Sequence, residues 1–361
     1  MLSEIGSNFW ISPEEIQGSP NIGTPEQFGC MGSDFAWMST GRSATRLVLK
    51  TILERQPTLN KVALIPAFTC HTVIEPFIEL GFKVHTLPMD VNLKTSASDI
   101  SRVLTESEAT ILLVHRFYGF DTLPGFNQVI GDIRRQGVVV IEDCTQCLYS
   151  SFEKSVADYY VGSIRKWCGV PDGGFAVCRE GKFMNKPMCS DGALEMAKRE
   201  ASELKYAYMF KGRDCKPESK KRYREAEYIL DTQSSFYTIG NLSALIQTNL
   251  NRDLLAEKRR VNYTILEKGL LNNPQITPIF KELPIDVVPL YMPVFVRHRD
   301  EVQSYLADNA VYAPVVWPKA DCCPLVCSAA DELYDNLLCI PIDQRYDTDD
   351  MNRILNILLQ Q

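Results

Sequence analysis

A chain of 361 residues, 45% hydrophobic and 23% charged, has room for about two domains around a large core. That balance excludes collagen-like, disordered and disulfide-scaffold classes, and no apolar run reaches the roughly 18 residues of a membrane helix. A net charge of −7 argues against nucleic acid as a partner while leaving room for a local anion pocket. From residue 42 onward, short apolar runs alternate with helical patterns. A helix is predicted over 42–53, a strand over 62–65, a helix over 71–80 closing at Gly81, and strands over 82–87 and 111–114. Residues 126–135 read as a helix that stops at Gly137. Residues 138–141 are four β-branched residues in a row, the pattern of a central parallel strand. Two further strands are expected over 159–161 and 175–177.

Residues 193–228 read as a surface helix plus a mobile connection, breaking at Gly212 and Pro217, with the basic run 216–224 as a solvated loop. One long helix is predicted over 242–270. Strands follow over 287–296 and 311–316 with a helix over 301–307 between them, and a last helix covers 349–359. Strands alternating with helices give an α/β architecture, a mostly parallel central sheet flanked by helices, with a small C-terminal α+β domain. The expected division is 1–240 and 241–361. Residues 1–10 carry an acid early and no apolar stretch behind a basic start, so no signal peptide is expected there. Twelve Cys against 4 His, many in apolar runs, read as buried free thiols in a reducing cytoplasm.

No Gly-x-Gly-x-x-Gly, Walker-type loop or His-Glu-x-x-His occurs, and four scattered His residues make a His-rich metal site improbable; no metal is expected. The informative residues stand at strand ends, where such sheets bind ligands. The strand at 138–141 runs into Glu142-Asp143-Cys144-Thr145-Gln146. A second run is Gly162-Ser163-Ile164-Arg165-Lys166-Trp167, followed by Pro171-Asp172-Gly173-Gly174. A strand-end carboxylate and a lysine just past another strand are what a pyridoxal phosphate (PLP) site needs. The lysine, Lys166, forms the Schiff base; the carboxylate, Asp143, pairs with the ring N–H so that the ring can take up electrons. Ser39-Thr40-Gly41-Arg42-Ser43-Ala44 opens the first helix and offers backbone N–H groups to a phosphate.

These residues resemble the DegT/DnrJ/StrS family of sugar aminotransferases, on the aspartate-aminotransferase (type I) fold, from about Ser39 to the end. The segment from Ser39 to Ala44 is similar to the family's phosphate turn, Pro66-Ala67-Phe68-Thr69 to its Pro-x-x-Thr, and Val114-His115 with Tyr118-Gly119 to its Val-His-x-x-Gly. Glu142-Asp143 with Gln146 resembles its Glu-Asp-x-x-Gln, and Lys166 with Gly173-Gly174 its Schiff-base lysine and trailing glycines. Residues 290–299 with Trp317, and Ile340-Pro341 with Arg345, resemble its C-terminal domain.

The resemblance implies a homodimer with PLP as cofactor, Lys166 and Asp143 as catalytic residues, and cofactor contacts from Gly41, Arg42, Ser43, Cys70, His71, Gln146 and Ser163. Arg42 either binds phosphate or faces water, its backbone N–H being the safer contact. Gln146 is expected at the ring's phenolic oxygen. His115 is either beneath the cofactor or a satisfied strand-end residue. Cys70 and His71 stand where relatives carry an aromatic residue, so either is a candidate to meet the ring face. Val161 stands where many relatives have Ser, which leaves Ser163 as the hydroxyl. The family's Tyr-Asn-Tyr-Arg is replaced by Phe236-Tyr237-Thr238-Ile239-Gly240-Asn241. The implied reaction moves an amino group, from glutamate, to a keto group of a nucleotide-linked sugar. Other PLP chemistry on the same site (dehydration or lyase) and a catalytically silent PLP-binding or sugar-sensing protein remain alternatives. Cys144-x-x-Cys147 as a redox pair, and Cys322, Cys323 and Cys327 as metal ligands, are the weaker readings beside plain thiols.

Overall fold

The computed structural model describes residues 3–190, 192–232, 235–319 and 326–360. In chain order its elements are β1 (Asp34–Met38), α1 (Gly41–Arg55), β2 (Val62–Pro66), α2 (His71–Glu79), β3 (Lys83–Leu87), α3 (Ala97–Ser107), β4 (Ile111–His115), α4 (Phe126–Arg135), β5 (Val139–Asp143), β6 (Tyr159–Ser163) and β7 (Gly174–Cys178). They continue with α5 (Ala193–Lys211), α6 (Lys216–Thr232), α7 (Asn241–Asn249), α8 (Arg252–Leu270), β8 (Ile276–Pro278), β9 (Met292–Val296), α9 (Arg299–Asp308), α10 (Ser328–Asn336), β10 (Leu337–Ile340) and α11 (Thr348–Leu358). Seven strands make a mostly parallel sheet in the order β1-β7-β6-β5-β4-β2-β3, flanked by helices, and β10-β9-β8 make a small antiparallel sheet. The chain divides into two compact units, one of Met1–Ser7, Gln56–Tyr159 and Arg252–Gln361, the other of Asn8–Arg55 and Tyr160–Asn251.

In the first unit β2, β3, β4 and β5 are parallel, with Ile111 opposite Val139 and His115 opposite Asp143. Strands β2 and β4 are buried at every position, as their unbroken apolar runs require when both faces are covered. Ser96 caps α3 by accepting the Asp99 N–H at 3.1 Å, which stops the preceding extended chain and starts the helix. Past the strand ends lies a large apolar core built from Phe68, Phe117, Phe120, Tyr263, Trp317, Leu338 and Met351 among others. Burying each such side chain is worth about 1.5–3 kcal/mol, which fixes the loops that carry the strand-end residues. Gly119 (φ +97°) is one of those loop residues. A Cβ there would sit 2.1 Å from the Val288 carbonyl, so only glycine lets the 287–290 segment close over the β4 loop.

In the second unit β1 pairs antiparallel with β7, Asp34 opposite Cys178 and Met38 opposite Gly174. Phe28 stacks on Phe175 at 5.4 Å, and α1 is buried on all sides over residues 43–49, with Ala44, Leu47, Val48 and Leu49 fully enclosed. Helices α5 and α6 form a hairpin with its own small core of Leu194, Ala226 and Leu230.

Four sequence expectations differ from the structure. The helix over 242–270 is two helices, because Leu250 is extended (φ −65°, ψ 115°) and Asn249 spends its amide on the carbonyls of Glu15 (2.9 Å) and Gln17 (2.8 Å). Asn side chains that bond to backbone compete with helix continuation. The basic run at 216–224 is helical, since Arg222 pairs with Glu218 and Glu225 along α6 and long charged side chains are good helix formers. The connection before it shrinks to a few residues, with Gly212 (φ +62°) ending α5. Only 292–296 of the predicted strand 287–296 enters a ladder. The Val288 N–H bonds to Ser150 Oγ (3.0 Å), the Leu290 N–H bonds to the Tyr118 carbonyl (2.9 Å), and Pro289 has no donor. Val311 makes only an isolated bridge to Ile5, and Pro314 interrupts the rest of the predicted strand.

Candidate active site

The sequence places its chemistry at strand ends, and each unit holds one group of those residues. In the first unit β4 ends in His115 and β5 in Asp143, directly opposite each other. Asp143 Oδ1 accepts the Thr145 N–H at 2.8 Å, which turns the chain so that Gln146 points back toward the β4 loop. There Gln146 Oε1 accepts the Tyr118 N–H at 2.6 Å. Gln146 is buried, yet its Nε2 has no partner, so a rigidly held donor is left over. His115 is 5% exposed, and its ring packs edge-on against Phe117 (4.4 Å) and Trp317 (5.7 Å). Burial presses its pKa down to about 3, so it is a neutral imidazole at physiological pH, with Nε2 unpartnered.

One residue before Asp143, Glu142 is committed to structure. It pairs with buried Arg116 and accepts the Ser155 N–H at 2.8 Å. Burial alone would disfavour the Arg116 charge, but Glu142 and Asp121 outweigh it and hold the guanidinium protonated. Cys70 precedes α2 without capping it, and its thiol accepts the Thr72 hydroxyl at 3.1 Å. His71 opens α2, half exposed, with Glu75 at 3.8 Å. The turn between β2 and α2 is held by Tyr334, whose hydroxyl accepts the Thr69 N–H at 3.0 Å. Cys144 and Cys147 are buried and joined by a backbone bond of 3.0 Å. The Cys144 contact and burial push the Cys147 thiol well up, away from the thiolate that redox or metal chemistry needs. With Glu142 they lie within 4.8 Å of one another, but Arg116 and Lys154 beside them oppose a cation. Of the three remaining thiols singled out by the sequence, Cys327 is half-buried, and Cys322 and Cys323 lie outside the described residues.

In the second unit the head of α1 lies against the end of β6. A Cβ at Gly41 would stand 3.4 Å from the Ser163 Cβ, so small residues on both sides leave a cradle at the helix start. Thr40 Oγ1 accepts the Ser43 N–H at 2.9 Å, so that N–H already serves as a cap bond. The Arg42 guanidinium is paired with Asp231 at 2.9 Å, which leaves the backbone N–H as its contribution to a phosphate. Ser163 Oγ donates to the Gly173 carbonyl at 3.2 Å, and the Gly173 N–H donates to the Ser39 carbonyl at 2.6 Å. A Cβ on Gly174 would meet the Thr40 backbone at 2.4 Å, so the second glycine is needed for this close approach. Lys166 ends a three-residue 3₁₀ helix, Ile164–Lys166, and is exposed.

Three participants escaped sequence reasoning. The Tyr237 carbonyl accepts the Ser39 N–H at 2.8 Å, so the segment that departs from the family pattern braces the phosphate turn. Asp172 is buried beside the glycine pair and accepts the Gly240 N–H through both oxygens (3.1 and 3.0 Å). Burial raises its pKa to about 6 against those bonds. Glu227 of α6 bonds Arg165 at 2.8 Å, and no local motif signals it. In each unit the residues fit one part of PLP. The surplus Gln146 N–H suits a phenolic oxygen, the strand-end carboxylate suits a ring N–H, and the small-residue cradle at a helix start suits a phosphate.

A family model described as the DegT/DnrJ/EryC1/StrS aminotransferase family matches residues 36–359. No curated protein matches the sequence. The fold is similar to that of the sugar aminotransferase CalS13 from Micromonospora echinospora, with 16% identity, 98% of each chain covered and a TM-score of 0.67. Helicobacter pylori PseC, an aminotransferase involved in the biosynthesis of pseudoaminic acid, gives 11% identity, 99% coverage of each chain and a TM-score of 0.70. The PLP form of Spr1654 from Streptococcus pneumoniae gives 12% identity, 98% and 97% coverage and a TM-score of 0.68. At such identities the likeness shows the type I fold, and the activity class comes from the family match. The chain belongs to the DegT/DnrJ/EryC1/StrS aminotransferase family and is a PLP-dependent aminotransferase.

Proposed function

We propose that this enzyme moves an amino group from glutamate to a keto group of a nucleotide-linked sugar, with PLP held on Lys166. The observation that carries the reading is the pairing of a strand-end carboxylate, Asp143, with a buried amide whose carbonyl is pinned and whose N–H2 is unused, Gln146. When bound, PLP supplies an electron sink for the carbon that loses its proton. Asp143 accepts the hydrogen bond of the ring N–H and keeps it protonated. Gln146 Nε2 donates to the ring's phenolic oxygen. The neutral ring of His115, backed by Phe117 and Trp317, keeps water away from the Asp143 strand end. The head of α1 at Gly41, Arg42 and Ser43, with Ser163, binds the phosphate. Cys70 and His71 supply the remaining contact at the head of α2. The exposed Lys166 Nζ, once free, takes the proton from the donor carbon and returns it to the acceptor side.

We further place the enzyme as a cytoplasmic homodimer. The free cysteines among the described residues are in keeping with a reducing compartment, and no helix among them is long and apolar enough to cross a membrane. The test is a two-part measurement on purified protein. Borohydride treatment followed by peptide mass spectrometry is expected to leave the reduced cofactor on Lys166. Glutamate alone is expected to bleach the visible band and release one equivalent of 2-oxoglutarate. Cofactor trapped on another residue, or no bleaching by any amino donor, overturns the reading.

A further inference from the structure

We propose that Glu227 of α6 is a positioning residue for Lys166, fixing the short helix that carries the lysine and facing its amine with a carboxylate charge. Residues 227 and 231 are one helical turn apart and so share a face of α6. Each carboxylate on that face meets an arginine of a different site element. Glu227 Oε1 takes Arg165 Nη2 at 2.8 Å, and Asp231 Oδ1 takes Arg42 Nη2 at 2.9 Å. Arg165 immediately precedes Lys166 in the 3₁₀ helix, and Arg42 is the second residue of α1. Thus α6 grips the lysine turn and the phosphate turn together.

The charges around Glu227 give the clamp a second effect. Arg165 and Lys166 face it from the 3₁₀ helix, Lys198 from α5, and Tyr223 from its own helix. Burial would push the Glu227 carboxyl up, but Arg165, Lys198 and Lys166 outweigh it and hold it below the usual glutamate value, so it is ionised at neutral pH. Burial and Arg165 press Lys198 down to about 8, and burial pushes Tyr223 up to about 12, so the phenol stays neutral. Replacing Glu227 by a neutral amide would leave Arg165, Lys166 and Lys198 with Asp231 as the remaining carboxylate on that face, itself paired with Arg42, so positive charge would be in excess. Like charges disfavour the protonated form of an amine, so the Lys166 ammonium would lose its proton at lower pH.

The functional weight of this inference rests on Lys166 being the cofactor lysine, but its test does not. Full-length protein freed of cofactor is treated with cyanate across a pH series, and carbamylation of the peptide carrying Lys166 is followed by mass spectrometry. Glu227→Gln is expected to move the midpoint of the Lys166 profile down by about one pH unit, raising its rate several-fold at pH 8. Glu227→Asp keeps the charge on a shorter arm, and its midpoint is expected between the two. A Glu227→Gln profile that superimposes on the parent overturns the proposal, as does a Glu227→Asp midpoint displaced as far as that of Glu227→Gln. If Glu227→Gln does not fold, Glu227→Asp decides by itself, a superimposed profile counting against the proposal. Because the readout needs only the amine, it stands whether or not borohydride traps a cofactor on Lys166.

Discussion

The strand ends of β4 and β5 and the lysine turn after β6 set the charge of their key groups by opposite means. Around His115 the environment is apolar, the ring lies against Phe117 and Trp317, and desolvation alone keeps the imidazole neutral. Around Lys166 the environment is ionic, with Arg165 beside it in the 3₁₀ helix and Lys198 and Glu227 on the α5–α6 hairpin. A group controlled by desolvation responds to cavities and polarity, and barely to salt. A group controlled by ion pairs responds to single charge substitutions and to ionic strength. The first region is packed into a large core, while the second uses a long charged hairpin whose own apolar cluster is small, made of Leu194, Ala226 and Leu230.

The largest effect that separates the two regions is expected at Lys166. Lys166→Ala should reduce turnover by roughly 10⁴-fold or more, because both the covalent link and the proton carrier are lost. Steady-state kinetics with glutamate as donor would show it, and a variant that still transaminates removes Lys166 from the reaction. Asp143→Asn comes next. It should retain part of the bound cofactor and lower kcat by about 10³-fold, since the amide no longer holds the ring N–H protonated. Absorbance of the bound cofactor beside the rate checks both halves, and an unchanged kcat would take Asp143 out of the mechanism.

The smallest and most diagnostic effect concerns His115 and acid. Its folded pKa of about 3 lies below the 6.5 of a free histidine, so below pH 6.5 the unfolded chain binds a proton that the folded chain refuses. Its contribution to stability is therefore fully present above pH 6.5 and falls between about 6.5 and 3, by up to about 1.4 kcal/mol per pH unit. Denaturant midpoints measured at pH 6.5, 5.5 and 4.5 should fall less steeply in His115→Asn than in the parent. Equal slopes would mean that the imidazole is wetter than its packing implies.

Much of this was readable before any coordinates. The strands at 62–65 and 111–114 and the helix at 126–135 follow from unbroken apolar runs or clean helical spacing, and the structure keeps them within a residue. The family match reached through the order of Gly41, Asp143, Gln146 and Lys166 is upheld over residues 36–359. What escaped has physical reasons. Strand β1 is only five residues, Asp34 followed by four apolar ones of which just Ala36 and Met38 are buried, too short to stand out, and it owes its place to pairing with β7. The run at 287–291 has strand-like composition, but its N–H groups go to a hydroxyl and a loop carbonyl, a destination set by tertiary contacts. Glu227 lies sixty-one positions beyond Lys166 in a run of charge that looks like any solvated helix. Its partner becomes visible only when α6 is laid beside the lysine turn.

The order in which the ribosome delivers the chain follows from how the first unit is assembled. That unit is drawn from both ends and the middle of the sequence, whereas the second is complete once Asn251 has been made. Phe68, Phe117 and Phe120 leave the tunnel early, but Tyr263, Trp317 and Leu338, which complete their core, come from the last third. At about 5–20 residues per second, that wait lasts on the order of ten seconds or more, and for its duration the nascent aromatic cluster has no lid of its own. Truncated transcripts ending near residue 250 should therefore yield a sticky, chaperone-dependent product, and the C-terminal segment should act as the late piece that lets the nascent enzyme leave quality control.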